Sequence, residues 1–314
     1  MAYKVGIIGA TRRFQGTGAY IARVFADSGH QIAGVVGTST ESAKQAALDL
    51  ARLYAIQTTG YTCLDILLQQ HAIDILVIAS PPATHLEYLQ LGTSHNLHIF
   101  CEKPFWWPDK ILDLTYYQQT LKDVVDKAKY NHRHLQLNTQ WPYTLKDFNR
   151  LHPEVLSDGK INYFSIRLSP QSKGINMLID AASHGLSMLY QLVGRGDLNQ
   201  ILIERTDCSA TIKFDYLHKQ GCTKTTFEFI HSNETPKPAS YQINGYSVRR
   251  TVTLPEYQIQ LQSEQQIISI QDPLEASIQD FLASIEAEIE IDEDILMLGA
   301  QHLYQLVENY QTKP

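Results

Sequence analysis

Short apolar runs alternate with amphipathic stretches over the first hundred residues of the chain. Lys4–Ile8, Gln31–Val36, Asp74–Ala79 and Leu97–Cys101 are apolar on both faces, the pattern of strands buried within a parallel sheet. Between them, Ala19–Ser28 places Ile21, Val24 and Phe25 on one helical face. A second helix is predicted over Ser42–Tyr54, with Ser39 or Thr40 as its N-cap and Glu41 in its first turn. Pro81-Pro82 breaks the third strand, and Ala83–Ser94 reads as another helix. Strand and helix in alternation predict a doubly wound α/β domain.

The period changes past residue 150. Residues 161–168, 200–205, 210–217, 223–231, 240–243, 247–254, 257–261 and 266–270 alternate apolar and polar positions, the mark of an antiparallel sheet with one buried face. Asp180–Val193 is a helix set among these strands, and Leu274–Glu288 and Glu293–Tyr310 are helices near the end of the chain. The polar stretch 232–238, with Pro236 and Pro238, reads as a hairpin loop. The expected organisation is a Rossmann domain over residues 1–130 and an α+β domain with an open, mostly antiparallel sheet over residues 131–314.

Composition narrows the function classes. The 314 residues are 44% hydrophobic and 19% charged, ordinary for a globular enzyme and enough for about two domains. A net charge of -7 without a basic run argues against nucleic acid as a partner. No stretch approaches the roughly 20 apolar residues of a membrane span, and no signal sequence precedes the first strand, so a cytoplasmic protein is expected. Cys63, Cys101, Cys208 and Cys222 lack the spacing of a zinc site and read as small buried residues in a reducing compartment. His132 and His134 are two apart with no carboxylate to complete a triad, so no metal is assigned.

Candidate chemistry begins after the first strand. Gly9-Ala10-Thr11-Arg12-Arg13-Phe14-Gln15-Gly16-Thr17-Gly18 leads into a helix, with glycines where a backbone must approach a pyrophosphate. It is about four residues longer than the G-x-G-x-x-G fingerprint. The second strand is followed by Gly37-Thr38-Ser39, with no carboxylate to accept from a ribose hydroxyl until Glu41. Thr38 and Ser39, with Arg12 or Arg13 as a bidentate clamp, suit a 2′-phosphate, so NADP is expected in preference to NAD. Glu102-Lys103-Pro104 closes the fourth strand, at the sheet end where ligands bind in such folds. In the second half, Asp180 and His184 stand four apart on one helical face, where a carboxylate can orient an imidazole.

Together these features resemble the glucose-fructose oxidoreductase / inositol dehydrogenase (Gfo/Idh/MocA) family over nearly the whole chain. Glu102-Lys103-Pro104 carries most of the likeness. Ala79-Ser80-Pro81-Pro82-Ala83-Thr84-His85 looks like the family's proline- and histidine-containing turn beside the nicotinamide, adding Ser80, Pro81 and His85 to the cofactor set with Glu102 and Lys103. Gln140-Trp141-Pro142 stands near its Arg-Phe-x-Pro position, and Asp272-Pro273-Leu274 with Asp280-Phe281 resembles the start of its C-terminal helix.

The resemblance implies an NAD(P)-dependent oxidoreductase acting on a sugar, polyol or related hydroxy, carbonyl or imine compound. Lys103 would polarise or orient the substrate oxygen, His184 would act as general acid/base, and Asp180 would orient His184 or contact the substrate. The chain departs from the family in its longer phosphate loop, in Ala182 for a common glycine, in Ser187 for a second aspartate, and in Trp106-Trp107 after the Pro-Phe. Tyr163 and Arg167 on a strand face read as an outward sheet surface. The open sheet predicts a homodimer or a dimer of dimers (a homotetramer), formed by covering exposed apolar area. Two rivals stay open: a non-catalytic NADP-binding regulatory protein, and an enzyme that uses bound cofactor for transient redox.

Overall fold

The computed structural model describes residues 2–10, 16–110, 113–157, 159–254 and 256–312. Its contacts divide into two units, one of residues 1–138 and 277–296, the other of residues 139–276 and 297–314.

The first unit is built on β1 (Lys4–Ile8), β2 (Gln31–Val36), β3 (Gly60–Tyr61), β4 (Ile75–Ile78), β5 (His98–Glu102) and β6 (Leu135–Asn138). They form one parallel sheet in the order β3-β2-β1-β4-β5-β6. Between the strands run α1 (Gly18–Asp27), α2 (Thr40–Tyr54), α3 (Leu64–Gln70), α4 (His85–Ser94) and α5 (Leu114–Tyr130). This is the doubly wound arrangement, and its strand order reverses between β1 and β4. Val5, Ile7, Val35, Ile75, Leu76, Val77, Ile78, Ile99 and Phe100 are at 0% exposure, which is why these strands are apolar on both faces. Ser39 caps α2: its hydroxyl accepts from the Ser42 amide, and the Ser42 hydroxyl accepts from the Ser39 amide.

The chain between the sheets continues through α6 (Leu145–Leu151) and α7 (Pro153–Ser157). The second unit then holds β7 (Tyr163–Leu168), α8 (Asn176–Val193), β8 (Gly196–Arg205), β9 (Ser209–His218), β10 (Gly221–Ile230), β11 (Ala239–Ile243), β12 (Tyr246–Thr253), β13 (Gln258–Gln262) and β14 (Ile267–Ser269). Its eight strands lie in the order β14-β13-β12-β11-β7-β10-β9-β8, antiparallel except where β7 runs parallel to β10. One face carries Ala210, Ile212, Phe214, Phe227, Phe229, Ile166 and Tyr241, all buried. Two further helices, α9 (Pro273–Glu286) and α10 (Glu293–Thr312), complete the chain.

Four expectations are corrected. The stretch 232–238 is not a hairpin loop: β7 lies between β10 and β11, so this segment crosses over the end of β7. The first unit extends past residue 130, because β6 pairs with β5 through Glu102 and Asn138, and residues 277–296 return to it, with Phe281 packed edge-on against Phe25 and Phe100. The cysteines are not all buried: Cys101 is, but Cys63 and Cys208 are exposed. The outer face of the second sheet is mixed: the exposed Tyr163, Leu202, Leu217 and Ile230 stand among Ser165, Arg167, Thr226, Glu228, Lys224, Asp215, Lys213 and Glu204, with ion pairs Arg167–Glu228, Lys224–Asp215 and Lys213–Glu204.

Candidate active site

Two glycines and the start of α1 meet at the carboxyl ends of β1 and β4. Gly9 leaves β1 with φ +77°, and a Cβ there would lie 2.9 Å from the Ala79 carbonyl oxygen and 3.0 Å from the Ser80 Cα. Gly18 opens α1, and a Cβ on it would lie 2.7 Å from the Gly9 carbonyl oxygen. Both glycines are required because backbone packs on backbone at the turn. Gly16 is exposed just before α1. Thr11, Arg12 and Arg13 lie outside the described residues.

Thr17 is the N-cap residue of α1, yet its hydroxyl makes no cap hydrogen bond. It donates instead to Glu102 Oε1 at 2.7 Å, and no acidic residue stands in the first turn of the helix. The amides of that turn therefore keep the character of an anion site. These residues fit the pyrophosphate of a dinucleotide: a glycine cradle that any Cβ would fill, beside a helix start that its own N-cap side chain leaves uncapped. At the end of β2, Thr38 and Ser39 are exposed, and the Ser39 hydroxyl is already engaged in its cap.

Glu102 ends β5, only 8% exposed, and receives a second hydrogen bond from Asn138 Nδ2 at 2.7 Å. Its carboxylate thus joins three elements: the start of α1, the end of β5 and the end of β6. Lys103 follows, partly exposed, and the Lys103–Pro104 peptide is cis. Phe105, Trp106 and Trp107 are buried; Trp106 stacks on Tyr117 of α5 at 5.3 Å, and the Tyr117 hydroxyl donates to the Trp106 carbonyl. Within this unit the tryptophans anchor the chain that leaves Lys103.

His85 is 0% exposed. Its Nδ1 lies 2.9 Å from the Pro104 carbonyl and its Nε2 lies 2.9 Å from the Ser80 carbonyl. Burial lowers its pKa, against the raising influence of both carbonyls and of Glu102. Beside it the buried Cys101 thiol lies 3.6 Å from Nδ1, its pKa raised by burial and then by Glu102. Ser80 is buried, and the Thr84 hydroxyl lies 2.7 Å from its Oγ; Pro81 is exposed in the same turn.

In the second unit, α8 carries Asp180 and His184 one turn apart, both half-buried. The opposite helix face packs tightly on the sheet: a Cβ on Gly185 would lie 2.6 Å from the Phe227 ring and 3.0 Å from Ile166. That contact fixes the rotation of the helix and hence the direction of His184. Ser187, where the resemblance expects a carboxylate, donates its hydroxyl to the His184 carbonyl at 3.0 Å. Sequence reasoning missed Arg250. Its Nη2 donates to the Lys237 carbonyl at 3.2 Å and its guanidinium stands 5.5 Å above the Trp141 ring. Burial lowers its pKa, and among the described residues its Nε has no acceptor. Thr17 and Asn138, which hold Glu102, were missed as well. A bulky polar residue one position before a glycine, or at the last position of an apolar strand, was the only available signal.

The family profile described as oxidoreductase family, NAD-binding Rossmann fold, matches residues 3–113. An uncharacterized oxidoreductase of Escherichia coli, YgjR, is 31% identical over 90 residues; the match covers 27% of this chain and 26% of that protein. The chain thus spans about a quarter of that relative's length. Among solved structures, UDP-N-acetylglucosamine 3-dehydrogenase from Acidithiobacillus ferrooxidans superposes with TM-score 0.70 at 18% identity, over 99% of this chain and 97% of that one. Myo-inositol 2-dehydrogenase from Lactobacillus plantarum gives TM-score 0.70 at 14% identity, over 99% and 96%. At such identities the likeness is one of fold, and it extends through both units. Among the described residues, no group of three or more His, Cys, Asp or Glu side chains is placed to hold a metal, and no helix is long and apolar enough to cross a membrane.

Proposed function

We propose that this protein is an NAD(P)-dependent oxidoreductase that moves a hydride between the nicotinamide and a carbinol or carbonyl carbon of a sugar or cyclic polyol. The observation that carries the reading is the tether from the phosphate-binding helix to the lysine strand, Thr17 to Glu102, beside the glycine cradle of Gly9 and Gly18. A strut of this kind registers a lysine against a bound dinucleotide. The family match of the first unit and the fold shared with two dehydrogenases of ring hydroxyls support the same reading.

When bound, the nicotinamide supplies the hydride acceptor or donor. Lys103 places a positive charge against the substrate oxygen and stabilises the negative charge that develops there as the C–H bond breaks. His184 takes the hydroxyl proton in oxidation and returns it in reduction, a task suited to an imidazole. Asp180, one turn earlier on α8, orients that ring. NADP is the preferred cofactor, since the segment after β2 offers the exposed Thr38 hydroxyl and no carboxylate before Glu41.

Four free thiols support a reducing, cytoplasmic setting. The broad outer face of the second sheet supports a homodimer or homotetramer, with the exposed Tyr163, Leu202, Leu217 and Ile230 set among hydroxyls and charges as the contact chemistry.

Paired fluorescence titrations with NADPH and NADH test the proposal. Saturable binding with NADPH at least about tenfold tighter, a difference of about 1.4 kcal/mol, is expected. Binding of neither by protein whose denatured extract also holds no nicotinamide would overturn it.

A further inference from the structure

We infer that His85 is a positioning residue that clamps the lysine turn to the turn after β4, rather than a group that touches the cofactor. The inference rests on the reading of Lys103 as the substrate-polarising group.

Three observations carry it. The imidazole is fully buried, and its two ring nitrogens lie 2.9 Å from two backbone carbonyls, so neither edge is open to a ligand. Those carbonyls belong to Ser80 and Pro104, which stand on the two loops that leave β4 and β5. The same loops meet again where the Trp107 amide donates to the Pro82 carbonyl at 3.3 Å. Held from the other side by Thr17 and Asn138 on Glu102, the residue between these supports is Lys103.

A neutral imidazole has one N–H, so it donates to one carbonyl at a time and turns a lone pair to the other. Only the imidazolium could donate to both, and burial disfavours that form. The facing charged and titratable groups are Glu102 and Cys101. An orphaned buried acceptor weakens the support on its side, so the two contacts are separable by substitution. Asn places its amide nitrogen near the Nδ1 position and Gln places its own near Nε2. His85→Asn therefore keeps the Pro104 contact, and His85→Gln keeps the Ser80 contact.

The test reads Lys103 directly and needs no substrate. The time profile of Lys103 acylation by an amine-reactive ester at fixed pH, quantified by mass spectrometry, is compared for the wild type, His85→Leu, His85→Asn and His85→Gln, with NADPH titrations and melting curves alongside. The expected result is an acylation rate of Lys103 changed about threefold or more in His85→Leu and His85→Gln, because a released turn changes the exposure of the amine. His85→Asn should return to the wild-type profile, and NADPH affinity should change less than about threefold in every folded variant. If His85→Leu does not fold, the Asn and Gln pair decides. Identical profiles in Asn and Gln, or a loss of NADPH binding of about tenfold or more in His85→Asn, overturn the inference. Failure of the wild type to bind NADPH or NADH would instead defeat the proposed function, and the Lys103 profiles would still decide the clamp.

Discussion

The Thr17 hydroxyl donates to Glu102 Oε1 at 2.7 Å, joining the N-cap of α1 to the end of β5, the strand that leads into Lys103. Asn138 completes the arrangement from β6. Hydrogen bonds to a charged acceptor contribute more than neutral ones, and their loss orphans both donors. Glu102→Ala should cost about 2–4 kcal/mol in urea unfolding, while Glu102→Gln, which keeps an acceptor oxygen, should cost about 1 kcal/mol. Equal losses in the two variants would mean that the negative charge both remove, not the acceptor oxygen that Gln keeps, matters there.

Gly18 meets the Gly9 carbonyl with no room for a methyl group. Because both neighbours are backbone, Gly18→Ala should destabilise by about 1–3 kcal/mol and weaken nicotinamide binding by about tenfold or more. Thermal melts and fluorescence titration read the two effects separately. An unaltered affinity in a folded Gly18→Ala protein would exclude this turn as the pyrophosphate site.

On α8 the packing of Gly185 against Phe227 sets the direction of His184. Gly185→Ala should therefore lower turnover with little change in cofactor affinity, alongside a loss of about 1–3 kcal/mol. The signature is a fall in kcat at unchanged nucleotide Kd in a protein that still melts cooperatively.

Stability should fall on mild acidification. His98 and His302 are pushed down to about 4, mainly by burial, and His30, His85 and His134 are lowered as well. A lowered folded pKa means that the unfolded chain binds the proton first. Stability is then present above about 6.5 and is lost as pH drops from there towards 4. His302 is nearly buried, and its share is on the order of 3 kcal/mol. His302→Leu should flatten the decline in melting temperature between pH 6.5 and 4. An equally steep decline would assign the acid sensitivity to other groups.

Local pattern revealed the alternation that builds the first unit: β1 and β2 match the expected strands residue for residue, and of the two expected caps of α2, Ser39 and Thr40, Ser39 takes the place. The two-residue β3 and the short α3 are below the length at which periodicity speaks. The insertion of β7 between β10 and β11 is a long-range pairing that alternation along one strand cannot encode. At the site, Glu102-Lys103-Pro104 and Asp180-x-x-x-His184 stood out as motifs. The partners of Glu102 did not, since Thr17 and Asn138 lie 85 and 36 residues away. His85 was legible as part of a turn, but whether a histidine faces a ligand or two carbonyls depends on burial, which only the fold decides.

Hydride transfer that depends on Lys103 and His184 is the central claim, and its most direct measurement is nicotinamide absorbance during incubation with a panel of cyclic polyols and nucleotide sugars. The wild type should reduce NADP with at least one member of the panel. Lys103→Ala and His184→Ala should each lose about a thousandfold or more in rate, near the upper end of what one acid/base or electrostatic group supplies, while binding NADPH within about threefold of the wild type. Tight nucleotide binding without reduction by any panel member, or near-normal rates in both variants, would contradict the account.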